Sequence, residues 1–326
     1  MPEPTHVPPP VLAAAGIDPE SVAAYEPLGG GTYNTVHRIR LADGTRLVLK
    51  RPPAPHRPRM TYEDGLIAAE AVFFREAAAH GAATVPRVVS ADDDHLLMTE
   101  LPGAPWFRPD DAPAPVPAAL RPRLRYELGA AVARLHAVTG SRWGYPGGAV
   151  PAAADWTGTF GGMLAALLAD ADRYDAPLPV ATDRVRELAA AASPALAEVT
   201  VPALVHFDLW EGNILLDGEG LSGLIDGERM FWGDPLAEFA SLTLLSAPEP
   251  DDALIAGYAS EGGRTDFDAP ARARMAFYRA YLYLIMLVES VPRAYPPERT
   301  AYTVERVTPH LTAALDVLAD FAGTGS

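Results

Sequence analysis

In the N-terminal third of the chain, hydrophobic and polar positions alternate in the manner of β-strands. Two such runs, residues 36–41 and 45–50, flank Ala42-Asp43-Gly44, and an Asp-Gly pair strongly favours a hairpin turn. A third run, residues 96–101, ends at a Pro-Gly turn, and residues 62–80 between them are helical in composition. This region therefore predicts a small sheet with one helix.

From about residue 121 onwards the pattern becomes helical. We expect helices over residues 121–138, 159–174, 182–198, 236–245, 251–260, 269–289 and 302–322. Pro194 and Pro309 lie inside two of these segments, so those helices are expected to be broken or to begin later. The N-terminal prolines, from Pro2 to Pro10, favour an extended tail before a short helix near Asp18.

Between two of the predicted helices lies a segment that suggests a catalytic loop. His206-Phe207-Asp208 is followed by Asn213 and, thirteen residues later, by Asp226. The apolar runs 214–216 and 221–225 are joined by a turn-rich linker and predict a hairpin. Since cross-strand neighbours lie about 5 Å apart, that hairpin would bring Asn213 and Asp226 together at its open end.

This spacing is typical of phosphoryl-transfer enzymes. Asn213 and Asp226 offer the hard oxygen ligands that Mg²⁺ takes beside nucleotide phosphates, and Asp208 could accept the proton of an attacking hydroxyl. Asp and Asn are also common in ordinary loops and turns. It is the combination of all three at this spacing that favours the catalytic interpretation.

A second set of residues suggests a phosphate-binding lobe. Gly29, Gly30, Gly31 and Thr32 form a run whose backbone amides could approach phosphate oxygens, although a plain hairpin turn is an alternative. Lys50, the only lysine in the chain, ends a buried-looking strand. Glu70, in the middle of the predicted helix, is the candidate partner of this lysine, whereas Glu63 and Glu76 are interpreted as solvent-exposed helix charges.

The strand that ends at Pro102-Gly103 predicts a hinge between two lobes. Backbone groups of Glu100 and Leu101, beside Met98, are expected to meet the edge of a purine base. A plain edge strand is the alternative interpretation.

These residues together resemble the aminoglycoside phosphotransferase family of small-molecule kinases, over nearly the whole chain. The most specific matches are the 206–213 segment, Ile225-Asp226, and Gly233-Asp234-Pro235 followed by Glu238-Phe239-Ala240. The resemblance implies an α+β, bilobal, protein-kinase-like fold with a small β-rich N-lobe and a larger, mainly helical C-lobe. We expect an extension at residues 1–22, the N-lobe at 23–101 and the C-lobe at 102–326.

The same resemblance implies Asp208 as catalytic base, Asn213 and Asp226 as Mg²⁺ ligands, Lys50 as phosphate anchor, and ATP or GTP as donor. Three positions depart from the family. Phe207 replaces a usual glycine, Trp210 replaces a common histidine, and Gly227 replaces a usual aromatic residue before Glu228. None of these changes removes a catalytic group.

Acceptor contacts are assigned to four residues, three of which have a structural alternative. Trp210 is an acceptor platform or a packing residue, and Glu211 flanks the base. Glu228 would reach a second metal ion or a water, or is a structural carboxylate. Glu289 would contact an acceptor amine, or is a solvent-facing charge. Asp234 is expected to be a helix-cap or loop-bracing residue rather than a catalyst.

Composition narrows the partners. The formal charge of −16 disfavours nucleic acid and anionic membranes and favours a small cationic acceptor, although a merely solubilising surface has the same charge. The chain has no cysteine, no apolar run long enough to span a bilayer and no signal-peptide pattern at its start, so we expect a cytoplasmic protein.

The leading hypothesis is therefore an Mg²⁺-dependent O-kinase for a small molecule, an aminoglycoside or another antibiotic. The alternatives are a choline, fructosamine, sugar or homoserine kinase of the same fold, and a catalytically idle nucleotide-binding protein. A protein kinase is disfavoured because Gly233-Asp234-Pro235 follows Asp226 too closely to leave room for a peptide-docking segment.

Overall fold

The structure is a computed structural model that describes residues 6–29, 33–107 and 116–324. Its strands are β1 Val22–Pro27, β2 Thr35–Leu41, β3 Arg46–Arg51, β4 Val88–Ala91, β5 Leu96–Thr99, β6 Ala104–Pro105, β7 Ala203–Val205, β8 Ile214–Asp217, β9 Gly220–Leu224 and β10 Phe231–Gly233. Its α-helices are α1 Pro9–Ala15, α2 Leu66–Ala79, α3 Arg121–His136, α4 Trp156–Arg173, α5 Thr182–Ala192, α6 Glu238–Leu242, α7 Asp252–Ser260, α8 Ala269–Val288 and α9 Pro297–Thr324.

The N-terminal lobe is a five-stranded antiparallel sheet in the order β1-β2-β3-β5-β4. The predicted Asp-Gly hairpin joins β2 to β3, with Val36 opposite Lys50. Side chains alternate across β5, because successive residues of a strand point to opposite faces. Leu97 therefore belongs to a cluster with α1, and Leu96 and Met98 belong to the core that includes α2.

Helix α1 corrects the prediction of an extended proline-rich tail. Pro9 and Pro10 occupy its first turn, where the missing N–H of proline costs no hydrogen bond. Val11 and Leu12 are buried against Ile39 and Leu49 of the sheet. Burial of this apolar face explains why the segment is helical despite its prolines. The short helix expected near Asp18 is a single 3₁₀ turn, Pro19–Ser21.

The C-terminal lobe is mainly helical, and α8 crosses its centre. Most residues of α8 are buried, and its largest packing partner is α9. The two internal prolines behave differently. Helix α5 ends just before Pro194, which lies in a following 3₁₀ segment, whereas α9 continues through Pro309.

Three short β-strands lie at the junction of the two parts. Strand β6 follows the predicted hinge and pairs with β8, which in turn pairs with β9. This small sheet fixes the hairpin that carries the candidate catalytic residues. Among the described residues, no helix is long and apolar enough to cross a membrane. The residue boundaries predicted for the lobes, 22/23 and 101/102, stay predictions.

Candidate active site

The β8–β9 hairpin brings Asn213 and Asp226 to its open end, as the sequence predicts. Ile214 pairs with Leu224, and the next amide, that of Ile225, donates a hydrogen bond to the carbonyl of Asn213 at 3.0 Å. The side-chain nitrogen of Asn213 donates to the backbone carbonyl of Asp208 at 2.9 Å. The Asn213 side chain therefore ties the loop of Asp208 to the hairpin through its nitrogen, which leaves its oxygen as a candidate metal ligand.

The loop around Asp208 is held by buried groups of α6 and of the hairpin. The Glu238 carboxylate accepts the backbone N–H groups of His206 at 2.8 Å and of Phe207 at 2.9 Å. The His206 ring contacts the Ile225 carbonyl through Nε2 at 2.9 Å, and its Nδ1 accepts the Asp208 amide at 3.2 Å. Nδ1 can accept only in the tautomer with the proton on Nε2. Burial lowers the pKa of His206, which keeps this neutral form.

Phe207 has a positive φ of 64°. This backbone conformation explains why glycine is usual here in the family that the sequence resembles, since a side chain raises the energy of the left-handed region. The Phe207 side chain is fully buried, and its ring centroid lies 5.0 Å from that of Phe231 and 5.9 Å from that of Tyr281. Aromatic burial thus offsets the backbone strain.

Lys50 lies at the centre of three carboxylates. Its Nζ is 2.8 Å from Glu70 Oε2 and 2.6 Å from Glu228 Oε2, and it donates a short hydrogen bond to Asp226. The predicted Lys50–Glu70 pair is therefore present. Burial disfavours the charged amine, but the three carboxylates outweigh it and raise the pKa of Lys50. The lysine joins the sheet and α2 to the segment that follows the hairpin.

The three carboxylates are candidate ligands of a divalent metal ion, although the Lys50 amine contacts all three of them. Oxygen atoms from Glu70, Asp226 and Glu228 lie within 4.8 Å of one another. The negative charge of these carboxylates is larger than the positive charge of the single lysine. Burial raises the pKa of Glu70 to about 8, although Lys50 opposes the shift. Asp226 remains an ionised carboxylate, since the effect of Lys50 outweighs that of burial and lowers the pKa of Asp226. Carboxylate and amide oxygens are the ligands that Mg²⁺ accepts.

Glu228 joins this cluster by a route that differs from the expected one. Its placement was predicted from a strand continuing past Asp226, but the strand ends and a 3₁₀ turn, Gly227–Arg229, follows. Glu228 is buried, and it also accepts a hydrogen bond from the side chain of Asn34 at 2.6 Å. Asn34 follows the glycine segment, so Glu228 contacts both sides of the cleft.

Asp208 has the electrostatics of a base. Burial, followed by the neighbouring charges of Asp226, Glu228 and Glu289, raises its pKa to about 7, and Arg229 opposes that rise. Arg229 Nε lies 3.7 Å from Asp208 Oδ2. A carboxylate whose pKa is close to neutrality is well matched to accepting a proton from a hydroxyl.

Glu289 and Glu63 are buried ionic residues, which corrects the interpretation of Glu63 as a solvent-exposed helix charge. Glu289 Oε2 is 3.0 Å from Arg229 and 3.2 Å from Arg293. Glu63 Oε1 is 2.6 Å from Arg293, and Glu63 is 3% exposed. Glu289 is also not a solvent-facing charge, because two arginines neutralise it in the interior.

Trp210 and Glu211 lie at the surface beside the base. The Trp210 ring is edge-on to Phe107, with centroids 6.3 Å apart, and Phe107 is 48% exposed. Glu211 forms an ion pair with Arg121 at 2.7 Å. The Trp210 ring also covers Gly212, where an added Cβ would lie 2.2 Å from two of its ring atoms. Gly212 therefore sets the position of the indole.

Some of the remaining residues predicted to bind nucleotide lie within the described part of the chain. Gly29 begins the glycine segment, whereas Gly30, Gly31 and Thr32 lie outside the described residues. Met98 is in β5 opposite Val48. The Glu100 amide donates to the Arg46 carbonyl at 3.1 Å, and the Glu100 carboxylate pairs with Arg38 at 2.6 Å. Of the backbone groups predicted at the hinge, the Glu100 N–H is therefore engaged within the sheet.

The sequence reasoning missed several residues of the site, namely Asn34, Phe73, Arg229, Glu238 and Arg293. Glu238 had a signal, since it lies in a segment that the resemblance singles out. Asp234, expected to be a cap, accepts the Leu236 amide at 3.0 Å as predicted and also pairs with Arg274. Arg229 carried no local signal, because its partners Asp208 and Glu289 are remote in the sequence. The same holds for the pairing of Arg293 with Glu63, although Arg293 also pairs with Glu289 four residues before it.

The sequence of this chain matches a known protein family. A family model described as "Phosphotransferase enzyme family" matches residues 24–278. A search of curated proteins finds no significant match.

Several solved structures share the fold. A macrolide 2′-phosphotransferase from Brachybacterium faecium is 18% identical, with a TM-score of 0.60, over 92% of this chain and 97% of that one. A choline/ethanolamine kinase family protein from Mesorhizobium loti is 23% identical, with a TM-score of 0.58, over 95% and 98%. A thermostable mutant of aminoglycoside phosphotransferase APH(4)-Ia, in complex with AMP-PNP and hygromycin B, is 16% identical, with a TM-score of 0.61, over 94% and 96%. The predicted two-lobed, protein-kinase-like fold is confirmed.

Proposed function

Because the chain belongs to the phosphotransferase enzyme family, we propose that it is an Mg²⁺-dependent small-molecule O-kinase. It moves the γ-phosphate of ATP or GTP to a hydroxyl group of the acceptor. The observation that carries the proposal is the junction at Lys50, where one buried amine contacts Glu70 of α2 and Asp226 beside the hairpin. This contact unites a phosphate anchor with a candidate metal ligand in one cleft.

The residues divide the chemistry among them. Asp208 accepts the proton as the acceptor oxygen attacks the γ-phosphorus, and the nucleoside diphosphate leaves. Glu70 holds Lys50 where its amine can bind donor phosphates, and the backbone of Gly29 is a further candidate contact for these phosphates. Asn213 and Asp226 would hold Mg²⁺, which when bound neutralises phosphate charge. Catalysis then rests on positioning and electrostatics.

The arrangement supports an active enzyme rather than a nucleotide-binding protein without catalysis. The chain offers candidate residues for all three roles of base, metal ligation and phosphate anchoring, and burial raises the pKa of Asp208, the proposed base, to about 7. Glu238 accepts the backbone N–H groups of His206 and Phe207 and so fixes the loop that carries the proposed base.

For the acceptor we propose a hydroxyl-bearing small molecule, an aminoglycoside or another antibiotic. Trp210 and Glu211 beside the base, and Glu228 and Glu289 deeper in the cleft, are its candidate contacts. The formal charge of −16 favours a cationic acceptor. The alternatives are a choline, fructosamine, sugar or homoserine acceptor. Glu289 would contact the acceptor as part of an ionic group with Arg229 and Arg293, because both arginines pair with the Glu289 carboxylate.

The first experiment is transfer of label from γ-labelled ATP and GTP, with and without Mg²⁺. The acceptor panel holds aminoglycosides, macrolides, nucleoside antibiotics, choline, amino sugars and hydroxy amino acids, and Asp208→Asn is the control. Mg²⁺-dependent label in one acceptor, lost in Asp208→Asn, supports the proposal and names the acceptor class. Nucleotide binding without transfer to any acceptor favours the idle nucleotide-binding alternative. Absence of nucleotide binding overturns the kinase assignment.

A further inference from the structure

Four buried charged side chains form a chain of alternating sign that ends at the catalytic base. Glu63 pairs with Arg293 at 2.6 Å, Arg293 with Glu289 at 3.2 Å, and Glu289 with Arg229 at 3.0 Å. Arg229 then lies 3.7 Å from Asp208. In each pair of the chain up to Arg229, both side chains are at most 11% exposed. We name these four residues the ionic chain.

The ionic chain crosses from one lobe to the other. Glu63 lies in the 3₁₀ turn Thr61–Glu63, just before the helix that carries Glu70, and it also accepts the Met60 amide at 2.7 Å. Arg293 and Glu289 follow α8 in the C-terminal lobe. The ion pair between Glu63 and Arg293 therefore joins residues that are 230 positions apart in the sequence.

Arg293 makes a second contact with the N-terminal lobe. Its guanidinium lies over the ring of Tyr33, 4.9 Å from the centroid. Tyr33 directly follows the glycine segment, and Asn34, next along the chain, donates to Glu228. One arginine thus contacts both Tyr33 and Glu63, which lies in the turn that precedes α2.

We propose that Arg293 is a positioning residue that clamps Tyr33 and the start of α2 onto the acceptor side of the cleft. The inference rests on the proposed function. A planar guanidinium can pair with carboxylates along its edge while an aromatic ring covers its face, which an ammonium group cannot do. Burying four charges costs desolvation energy that ion pairs often fail to recover. A role in fixing the two lobes relative to each other accounts for that cost.

The clamp links donor and acceptor binding through contacts already present. On its donor side, Arg293 fixes Tyr33 and, through Glu63, the start of α2, whose Glu70 holds Lys50. On its acceptor side, it neutralises Glu289, which leaves Arg229 shared between Glu289 and Asp208. Loss of Arg293 frees the donor side to shift and leaves Glu289 with Arg229 as its remaining arginine partner.

The test uses steady-state kinetics of the full-length chain on its identified acceptor, with nucleotide and acceptor varied separately. Arg293→Gln removes the charge, and Arg293→Lys keeps it without the planar fork. We expect Arg293→Gln to lower kcat by about ten- to a hundredfold, as misplacement of reacting groups does, and to raise the KM for nucleotide. Arg293→Lys should recover only part of the loss.

Arg274→Lys is the matched control. Arg274 is also a buried arginine with two acidic partners, Asp234 at 2.9 Å and Glu198 at 2.5 Å, but it lies outside the proposed machinery. We expect Arg274→Lys to lower the Tm while kcat, measured well below that Tm, stays within about twofold of the original enzyme. A merely structural role for Arg293 would give the same pattern as this control and would overturn the inference.

Tyr33→Leu provides a second arm that does not disturb the buried charges. If Arg293 acts in part through Tyr33, the nucleotide KM rises in Tyr33→Leu, and the double variant with Arg293→Gln shows less than the sum of the two single effects on the free energy scale. Additive effects would contradict the clamp, since residues that act independently give independent changes. If the original enzyme transfers no phosphate to any acceptor, the proposed function fails. If that enzyme is active and both Arg293 variants behave as Arg274→Lys does, the clamp alone fails.

Discussion

Phe73 of α2 lies against the backbone of Gly227, the residue that follows the metal-ligand candidate Asp226. A Cβ placed on Gly227 would lie 2.4 Å from Cδ1 of Phe73. The same phenylalanine ring meets the ring of His206 edge-on, with centroids 4.8 Å apart. The helix that carries Glu70 is thus packed directly onto both catalytic segments. This contact explains why glycine, and not the aromatic residue usual in the family, follows Asp226.

Gly227→Ala should be destabilising, because the new methyl group overlaps the Phe73 ring. Overpacking of this kind costs about 1–3 kcal/mol, and urea unfolding of the variant measures the cost. Because the displaced helix carries Glu70, kcat should fall as well.

A double-mutant cycle with Phe73→Ala separates this contact from a general effect of alanine at position 227. Removing the ring opens the space that the new methyl group needs, so the cost of Gly227→Ala should shrink in the Phe73→Ala background. Equal costs in both backgrounds would contradict the assigned contact.

Asp208→Asn should abolish phosphoryl transfer and yet raise the free energy of unfolding. The pKa of Asp208 in the folded protein is about 7, above its ordinary value of 3.8, so ionisation on the way from acidic to neutral pH favours the unfolded chain. The stability lost by the original protein grows as pH rises and levels off above pH 7. One pKa unit corresponds to about 1.4 kcal/mol. The free energy of unfolding of the variant should therefore exceed that of the original protein by about 2–3 kcal/mol more at pH 8 than at pH 5.

Thermal or urea unfolding of both proteins at several pH values, without Mg²⁺ or nucleotide, measures this difference. An advantage that stays constant or narrows over that range would show that burial does not raise the pKa of this carboxyl. Asp217→Asn, in the turn at the end of β8, is a suitable control because Asp217 is exposed.

Two substitutions at Asn213 should separate metal binding from positioning of the loop. Asn213→Asp keeps an oxygen ligand but loses the donor to the Asp208 carbonyl, and Asn213→Ala loses both. We expect both variants to lose kcat, and only Asn213→Ala to need substantially more Mg²⁺ for half-maximal activity. Activity titrated with Mg²⁺ at saturating nucleotide tests this, and an identical Mg²⁺ requirement in both variants would remove Asn213 from the metal site.

Gly212→Ala should alter acceptor use through Trp210. Its Cβ would overlap the indole, which must then move. If Trp210 is an acceptor platform, the acceptor KM rises in Gly212→Ala and in Trp210→Ala, while the nucleotide KM changes little. If Trp210 only packs, both variants lower the Tm and leave the acceptor KM unchanged.

The sequence by itself determined the local parts of this protein. Strand alternation and an Asp-Gly turn placed β2 and β3, and the hairpin that joins Asn213 to Asp226 followed from two apolar runs with a turn between them. These two features depend on periodicity and on hydrogen bonds between near neighbours. The pairing of Lys50 with Glu70 was also predicted, because kinases hold a strand lysine with a helix glutamate.

The tertiary structure alone decided which distant charges meet and which backbone conformations are strained. Glu63 was predicted to be exposed, but Arg293 neutralises it in the interior. Phe207 adopts a positive φ that only its buried aromatic neighbours can compensate. Helix α1 forms because the sheet covers its apolar face. Each outcome depends on contacts between remote segments, and no local pattern contains that information because it is the packing of the whole chain that removes these groups from water.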